Sequence, residues 1–161
     1  MGFVKISISV TFQLFRGDVF VLNTILVAVD DSPTAKFVIK ALGQLRLQPT
    51  TNVIFSHIVP TVESDFDLVA DRPRPGADEF PYGHLEKQLR AYQDQFDCQT
   101  EIEIVAGDPA EEIIRLANIY KADLIIIGNR GLTGVKRILE RSVSSQVVSE
   151  ANCSVLVVKE I

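Results

Sequence analysis

Ile25-Leu26-Val27-Ala28-Val29-Asp30-Asp31-Ser32-Pro33 sets five apolar residues in unbroken succession before two carboxylates, a hydroxyl and a proline. An apolar run without polar alternation marks a strand buried on both faces, as in a parallel sheet covered by helices. Asp31 and Ser32 offer capping side chains, and Pro33 suits a first helical turn, where its missing N–H costs nothing. Val38, Ile39, Leu42 and Leu45 then recur at helical spacing and predict a helix running to about Arg46.

The same alternation continues along the chain. Val53-Ile54-Phe55-Ser56-His57-Ile58 reads as a second strand, Glu101 to Ala106 as a third, Leu124 to Ile127 as a fourth and Ser154 to Val158 as a fifth. Between them, Leu85, Leu89, Tyr92 and Phe96 mark one helix. Asp108-Pro109-Ala110-Glu111 opens another, with Asp108 as cap, Pro109 at the first position and Glu111 completing a capping box. Strands alternating with helices predict an α/β fold: a single doubly wound domain over 22–161 with a parallel sheet. The longest irregular stretch, 60–83, holds Pro60, Pro73, Pro75 and Pro81 and six acidic residues against Arg72 and Arg74. It reads as a solvated insertion or as a flap over a neighbouring ligand site, not as a domain linker.

Residues 1–21 read as an N-terminal extension. Val4, Ile6, Ile8, Val10 and Phe12 alternate with Lys5, Ser7, Ser9, Thr11 and Gln13, the period of a half-buried strand. Phe15-Arg16-Gly17-Asp18 reads as a turn. A secretory signal fits poorly, because Ser, Thr and Gln break the apolar stretch and no small-residue cleavage site follows.

Composition narrows the function. The chain has 161 residues, 47% apolar and 23% charged, which suits one folded domain. No apolar run reaches the roughly 18 residues of a membrane span. Cys98 and Cys153 are too few for a disulfide framework, so a reducing, cytoplasmic setting is expected. Two histidines and no His/Cys cluster disfavour a zinc site. A net charge of −5 disfavours a general nucleic-acid binder.

The chemistry-bearing segment follows the fourth strand. Gly128-Asn129-Arg130-Gly131 opens the strand into a glycine turn, and Arg141-Ser142-Val143-Ser144 enters the last helix. Glycines there let backbone approach a ligand, and exposed N–H groups can cradle phosphate. Ser142 can cap the helix, whose amides favour an anion. Arg130, Lys136, Arg137 and Arg141 face only Glu140 in an otherwise acidic chain. The competing reading is a glycine turn followed by a solvated basic helix face. A phosphoacceptor receiver domain would share Asp30-Asp31 and Lys159 but needs an aspartate ending the third strand, where Val105-Ala106-Gly107 stands. A Walker-type loop is missing after the first strand. His57 and His84 have no evident Ser or Cys partner, so neither reads as catalytic.

From Leu22 to Lys159 the sequence resembles the universal stress proteins. The likeness rests on Ile25 to Asp30, Ser56-His57-Ile58-Val59, Gly107-Asp108-Pro109-Ala110-Glu111 and Cys153 to Val158. The glycine segment is similar to that family's ATP signature: Gly128, two residues, Gly131, nine residues, then Ser142. Arg141 stands where the family pattern has a third glycine.

The resemblance implies an adenine nucleotide alpha hydrolase-like sheet of five parallel strands in the order 3-2-1-4-5, with the extension as an extra strand. It implies an adenine nucleotide, ATP or AMP, with Mg2+ as a companion ion. Asp30 would take the ribose, with Ala28, Val29 and Ile58 bordering adenine. Ile127, Gly128, Arg130 and Gly131 would approach ribose and phosphate, while Arg141, Ser142, Val143 and Ser144 would meet the phosphates. It further implies a homodimer through Val155–Val158. The expected role is a stress-response sensor or adaptor; no base or nucleophile stands out for more than slow ATP hydrolysis. A scaffold of the same family that works by dimer contacts without nucleotide is the alternative.

Overall fold

The computed structural model describes residues 5–9, 21–61, 83–129 and 142–159. In chain order these form β1 (Lys5–Ser9), β2 (Thr24–Ala28), α1 (Ala35–Leu42), β3 (Asn52–Pro60) and α2 (Gly83–Gln93). Then follow β4 (Gln99–Gly107), α3 (Pro109–Tyr120), β5 (Leu124–Gly128), α4 (Val143–Glu150) and β6 (Ser154–Lys159). One six-stranded sheet runs β1-β6-β5-β2-β3-β4. Its five strands from β2 to β6 are parallel and have the expected 3-2-1-4-5 order; β1 adds to the β6 edge, antiparallel.

The apolar runs divide by parity. Ile25, Val27 and Val29 point to one face with Val53, Phe55 and Ile126, where Val38, Ile39 and Leu42 of α1 and Leu89 of α2 cover them. Leu26, Ala28, Ile54, Ile125 and Ile127 point to the other, under Ile113, Leu116 and Ala117 of α3 and Val147 of α4. Ile25, Leu26, Val27, Ile125 and Ile126 are fully buried, as expected of central strands wrapped on both sides.

Several boundaries differ from the sequence reading. α1 ends at Leu42, four residues short of Arg46: beyond it, Gln44 bonds back to Ala41 and Leu45 to Leu42, the tighter three-residue turns that end helices. Asp31 does not cap α1. Residues 31–34 form turns, and Thr34 occupies the cap position with helical dihedrals. β3 and β4 both exceed expectation because they pair over nine positions, from Asn52 opposite Gln99 to Pro60 opposite Gly107. Pro60, which donates no ladder bond, stands at the last of them. At Gly107 the chain turns with φ +157°, where an added Cβ would sit 2.8 Å from Glu112 Cγ. Asp108 then caps α3 as expected, accepting bonds from Ala110 and Glu111 amides at 3.0 Å each, with Pro109 in the first turn. The alternating stretch 4–12 is described as strand over Lys5–Ser9. The expected turn at 15–18 and most of the irregular stretch 60–83 lie outside the described residues.

A carboxylate ties the amino ends of the two central strands together. Asp123 Oδ2 accepts from the Asn23 amide at 2.8 Å and the Thr24 amide at 3.0 Å, while the Asp123 amide donates to Thr24 O at 2.9 Å. Charge-assisted bonds of this kind stabilise more than neutral ones. Asp123→Ala should lower unfolding free energy by about 1–2 kcal/mol, read from the urea midpoint. An unchanged midpoint would show that water replaces both bonds without loss.

Candidate functional site

In a doubly wound sheet the connections diverge at one point, and ligands bind beside the carboxyl ends of the strands there. Here that point lies between β2 and β5. β2 leads through α1 to β3 on one side, while β5 is its neighbour on the other. Register brings the predicted residues to one level: Ala28 lies opposite both Ser56 and Ile127, and Gly128 opposite Val158. Ala28, Val29 and Ile127 are buried, whereas Asp30, Ile58 and Gly128 are half-buried.

Gly128 marks the tightest place. A Cβ there would stand 3.3 Å from Val38 Cγ2 and 3.7 Å from Thr34 Cβ. The strand end therefore lies against the start of α1, in space that a side chain would fill. The next amide, Asn129 N, donates to Val158 O at 2.7 Å.

Asp30 is held by its own turn. Its Oδ1 accepts from the Ser32 amide at 3.0 Å and from the Ser32 hydroxyl, which is itself bonded to the Thr34 hydroxyl. Carboxylate, hydroxyl and hydroxyl thus form a chain into α1. The oxygen-bearing side chains at 30, 32 and 34 were the available signal for it. Val29 donates its N–H to Ser56 O at 2.9 Å, and its carbonyl lies 3.0 Å from His57 Nδ1. A carbonyl only accepts, so Nδ1 carries the proton. His57 is buried and acts as a brace between β2 and β3.

On the other side Ser142 caps α4 with extended dihedrals, accepting from the Ser145 amide at 3.2 Å. Its hydroxyl lies 2.6 Å from Ser145 Oγ and 3.3 Å from Ser144 Oγ. Ser144 is buried and Val143 exposed. Glu150 at the far end of α4 leads within three residues to Ser154, opposite Leu124 at the amino edge of the sheet. The start of α4 therefore faces the carboxyl edge, with its free amides and positive dipole end there. Arg130, Gly131 and Arg141 lie outside the described residues.

Four described groups have displaced protonation, and none belongs to this part of the sheet. The Arg115 guanidinium is raised by its hydrogen bond to Glu112. The Tyr120 hydroxyl donates to Glu103, which with burial pushes it up to about 12. Burial, and then the Asp97 charge, raises the Cys98 thiol; burial, and then Asp123, raises Cys153. Among the described residues no group of three or more His, Cys, Asp or Glu could hold a metal ion, and no helix is long and apolar enough to cross a membrane.

Comparison with known proteins gives the arrangement its relatives. Universal stress protein MJ0531 of Methanocaldococcus jannaschii is 40% identical over 74 residues, which span 46% of this chain and 44% of that one, less than half of either. A putative universal stress protein of Staphylococcus aureus is 32% identical over 143 residues, 85% of this chain and 84% of its own. Among solved structures, protein MJ0577 matches with a TM-score of 0.66 at 26% identity, over 86% of this chain and 96% of that one. A universal stress protein solved in complex with cAMP matches at 0.62 and 24%, over 86% and 97%. One from Archaeoglobus fulgidus in complex with dAMP matches at 0.54 and 21%, over 84% and 97%. The last two show likeness of fold. The model of the Universal stress protein family matches residues 22–159, from two residues before β2 to the last residue of β6. With that span and the 3-2-1-4-5 sheet, the chain belongs to the universal stress protein family.

Proposed function

We propose that this chain binds an adenine nucleotide, ATP or AMP, at the carboxyl ends of β2, β3 and β5, and acts as a stress-response sensor or adaptor in the cytoplasm. The observation that carries the reading is the strand switch itself, where β5 ends at Gly128, packed against Val38 and Thr34, next to the end of β2 that leads into Asp30. The cAMP and dAMP complexes of proteins with this fold support the same class of ligand.

In this reading Asp30 takes a ribose hydroxyl on its carboxylate, and the Val29 carbonyl and Ile58 border the base. Ala28, Ile127 and Gly128 supply backbone, and Arg130 and Gly131 continue the turn toward ribose and phosphate. Ser142, Val143 and Ser144 offer hydroxyls and amides to the phosphates at the start of α4, with Arg141 adding charge. Mg2+ would enter with ATP on phosphate oxygens, since the ion prefers a few carboxylates and phosphates to a cage made of protein. The free thiols of Cys98 and Cys153 support a reducing compartment. The assembly in this reading is a homodimer through Val155–Val158, with neither nucleic acid nor membrane as partner.

Nucleotide extracted from the purified protein, with calorimetric titration by ATP and AMP, tests the reading. Asp30→Ala should weaken both nucleotides about tenfold or more, the worth of one hydrogen bond to a charged group. Arg141→Gly should weaken ATP several-fold more than AMP if the guanidinium meets the outer phosphates. Tighter ATP binding in Arg141→Gly would show an obstructing side chain instead. No heat at millimolar ATP would sink the nucleotide reading in favour of the scaffold.

A further inference from the structure

β1 departs from every other strand of the sheet in three respects. It runs antiparallel among parallel neighbours, it lies outside residues 22–159 that carry the family likeness, and it covers the β6 edge. The register runs from Lys5 opposite Lys159 through Ser7 opposite Val157 to Ser9 opposite Val155, so β1 spans five of the six positions of β6.

Orientation gives this its meaning. Two copies of a strand that pair edge to edge about a two-fold axis must run antiparallel. β1 therefore presents to β6 the direction that a second copy's β6 would present, and uses the same row of N–H and C=O groups. The two occupants exclude each other. We propose that β1 is an intramolecular cap, and that docking or release of residues 5–9 controls self-association of this chain through β6. This rests on the homodimer reading above and adds a switch to it.

The cap is built to be displaced. It is five residues long, so few ladder bonds hold it. Serines occupy two of its five positions.

Four forms of the full chain, one of them unmodified, test the proposal by light scattering across micromolar to millimolar concentration. Ser7→Cys with Val157→Cys joins directly opposite residues and locks the cap closed. The unmodified chain, oxidised alongside, controls for Cys98 and Cys153. Ile6→Pro with Ser7→Pro removes two successive donors, one of which faces β6 whatever the ladder phase, and opens the cap. The locked form should keep the mass of one chain throughout. The opened form should reach twice that mass at a concentration at least tenfold below the unmodified chain, and Val157→Lys added to it should abolish that gain.

Equal association of locked and opened forms would overturn the switch and leave the homodimer reading standing. An opened form that stays monomeric while its circular dichroism remains native would overturn both. Stronger association of the locked form would also overturn the proposal, because β1 would then be building the interface. Association that survives Val157→Lys would place the contact elsewhere and defeat it as well.

Discussion

Gly128→Val is expected to weaken ATP and AMP by at least about 30-fold, or ~2 kcal/mol, and to lower unfolding free energy by about 1–3 kcal/mol. Even a single Cβ would meet Val38 Cγ2 at 3.3 Å, inside ordinary contact distance. Val38 is 1% exposed and packs within the α1 face of the core, so it cannot swing into solvent. The branched side chain must push the start of α1 away from β5 or force the strand end outward. Either movement shifts the hydroxyl chain that holds Asp30, because that chain runs through Ser32 to Thr34, and Thr34 Cβ is the other close neighbour. Gly128→Ala should show the same two effects at a fraction of the size. The two readouts separate the causes: urea denaturation reports the packing, and calorimetry at a temperature where both variants are folded reports the ligand. Full ATP heat from folded Gly128→Val would remove this turn from the binding site.

Phe55→Ala should cost about 3–5 kcal/mol, the range for removing a buried aromatic ring. Phe55 is fully buried on β3, with its ring centroid 6.0 Å from that of Phe96 at an interplanar angle of 36°. The tilted arrangement adds to area burial in the way favoured by ring quadrupoles. Phe96 lies beyond the end of α2, so the ring pair also anchors the passage from that helix into β4. A loss of this size is a large fraction of the 5–15 kcal/mol that typically holds a domain together. The variant should unfold at a much lower urea concentration with the slope unchanged. A loss below about 1.5 kcal/mol would mean that neighbours collapse into the space. Ile54→Val, one methylene on the opposite face of the same strand, should cost about 0.5–1.5 kcal/mol and serves as the scale.

The sheet was legible in the sequence because burial on both faces leaves a local trace. Ile25 to Val29 and Leu124 to Ile127 are apolar without interruption, and only a central parallel strand needs that. Asp108-Pro109 was equally readable, since a cap and a first-turn proline act within four residues. The end of α1 was not. Leu45 continues the apolar spacing and packs against the core, but it does so from a turn after the helix has closed. The alternation of residues 4–12 predicted a strand yet could not say which edge it joins, because register depends on residues at the far end of the chain. At the candidate site, the glycine signature and the role of Asp30 came from the likeness to the universal stress proteins. The crowding of Gly128 by Val38 was not legible, since it arises between elements some ninety residues apart. The Asp30–Ser32–Thr34 chain was not readable behind the capping side chains that Asp31 and Ser32 offer: a short oxygen-rich turn has several bonding schemes, and packing of α1 selects among them.

The β1–β6 ladder also has a temporal side. Its two strands come from residues 5–9 and 155–159, so almost the entire chain must leave the ribosome before the ladder can close. Every other neighbouring pair in the sheet is completed earlier or with a shorter loop to close. During synthesis at about 5–20 residues per second, the alternating N-terminal segment therefore waits for several seconds without its partner. Such a segment is a template for strands of other nascent chains. Lys5 near its start supplies a charge of the kind that discourages such pairing, and so protects the chain while the ladder is still unmade.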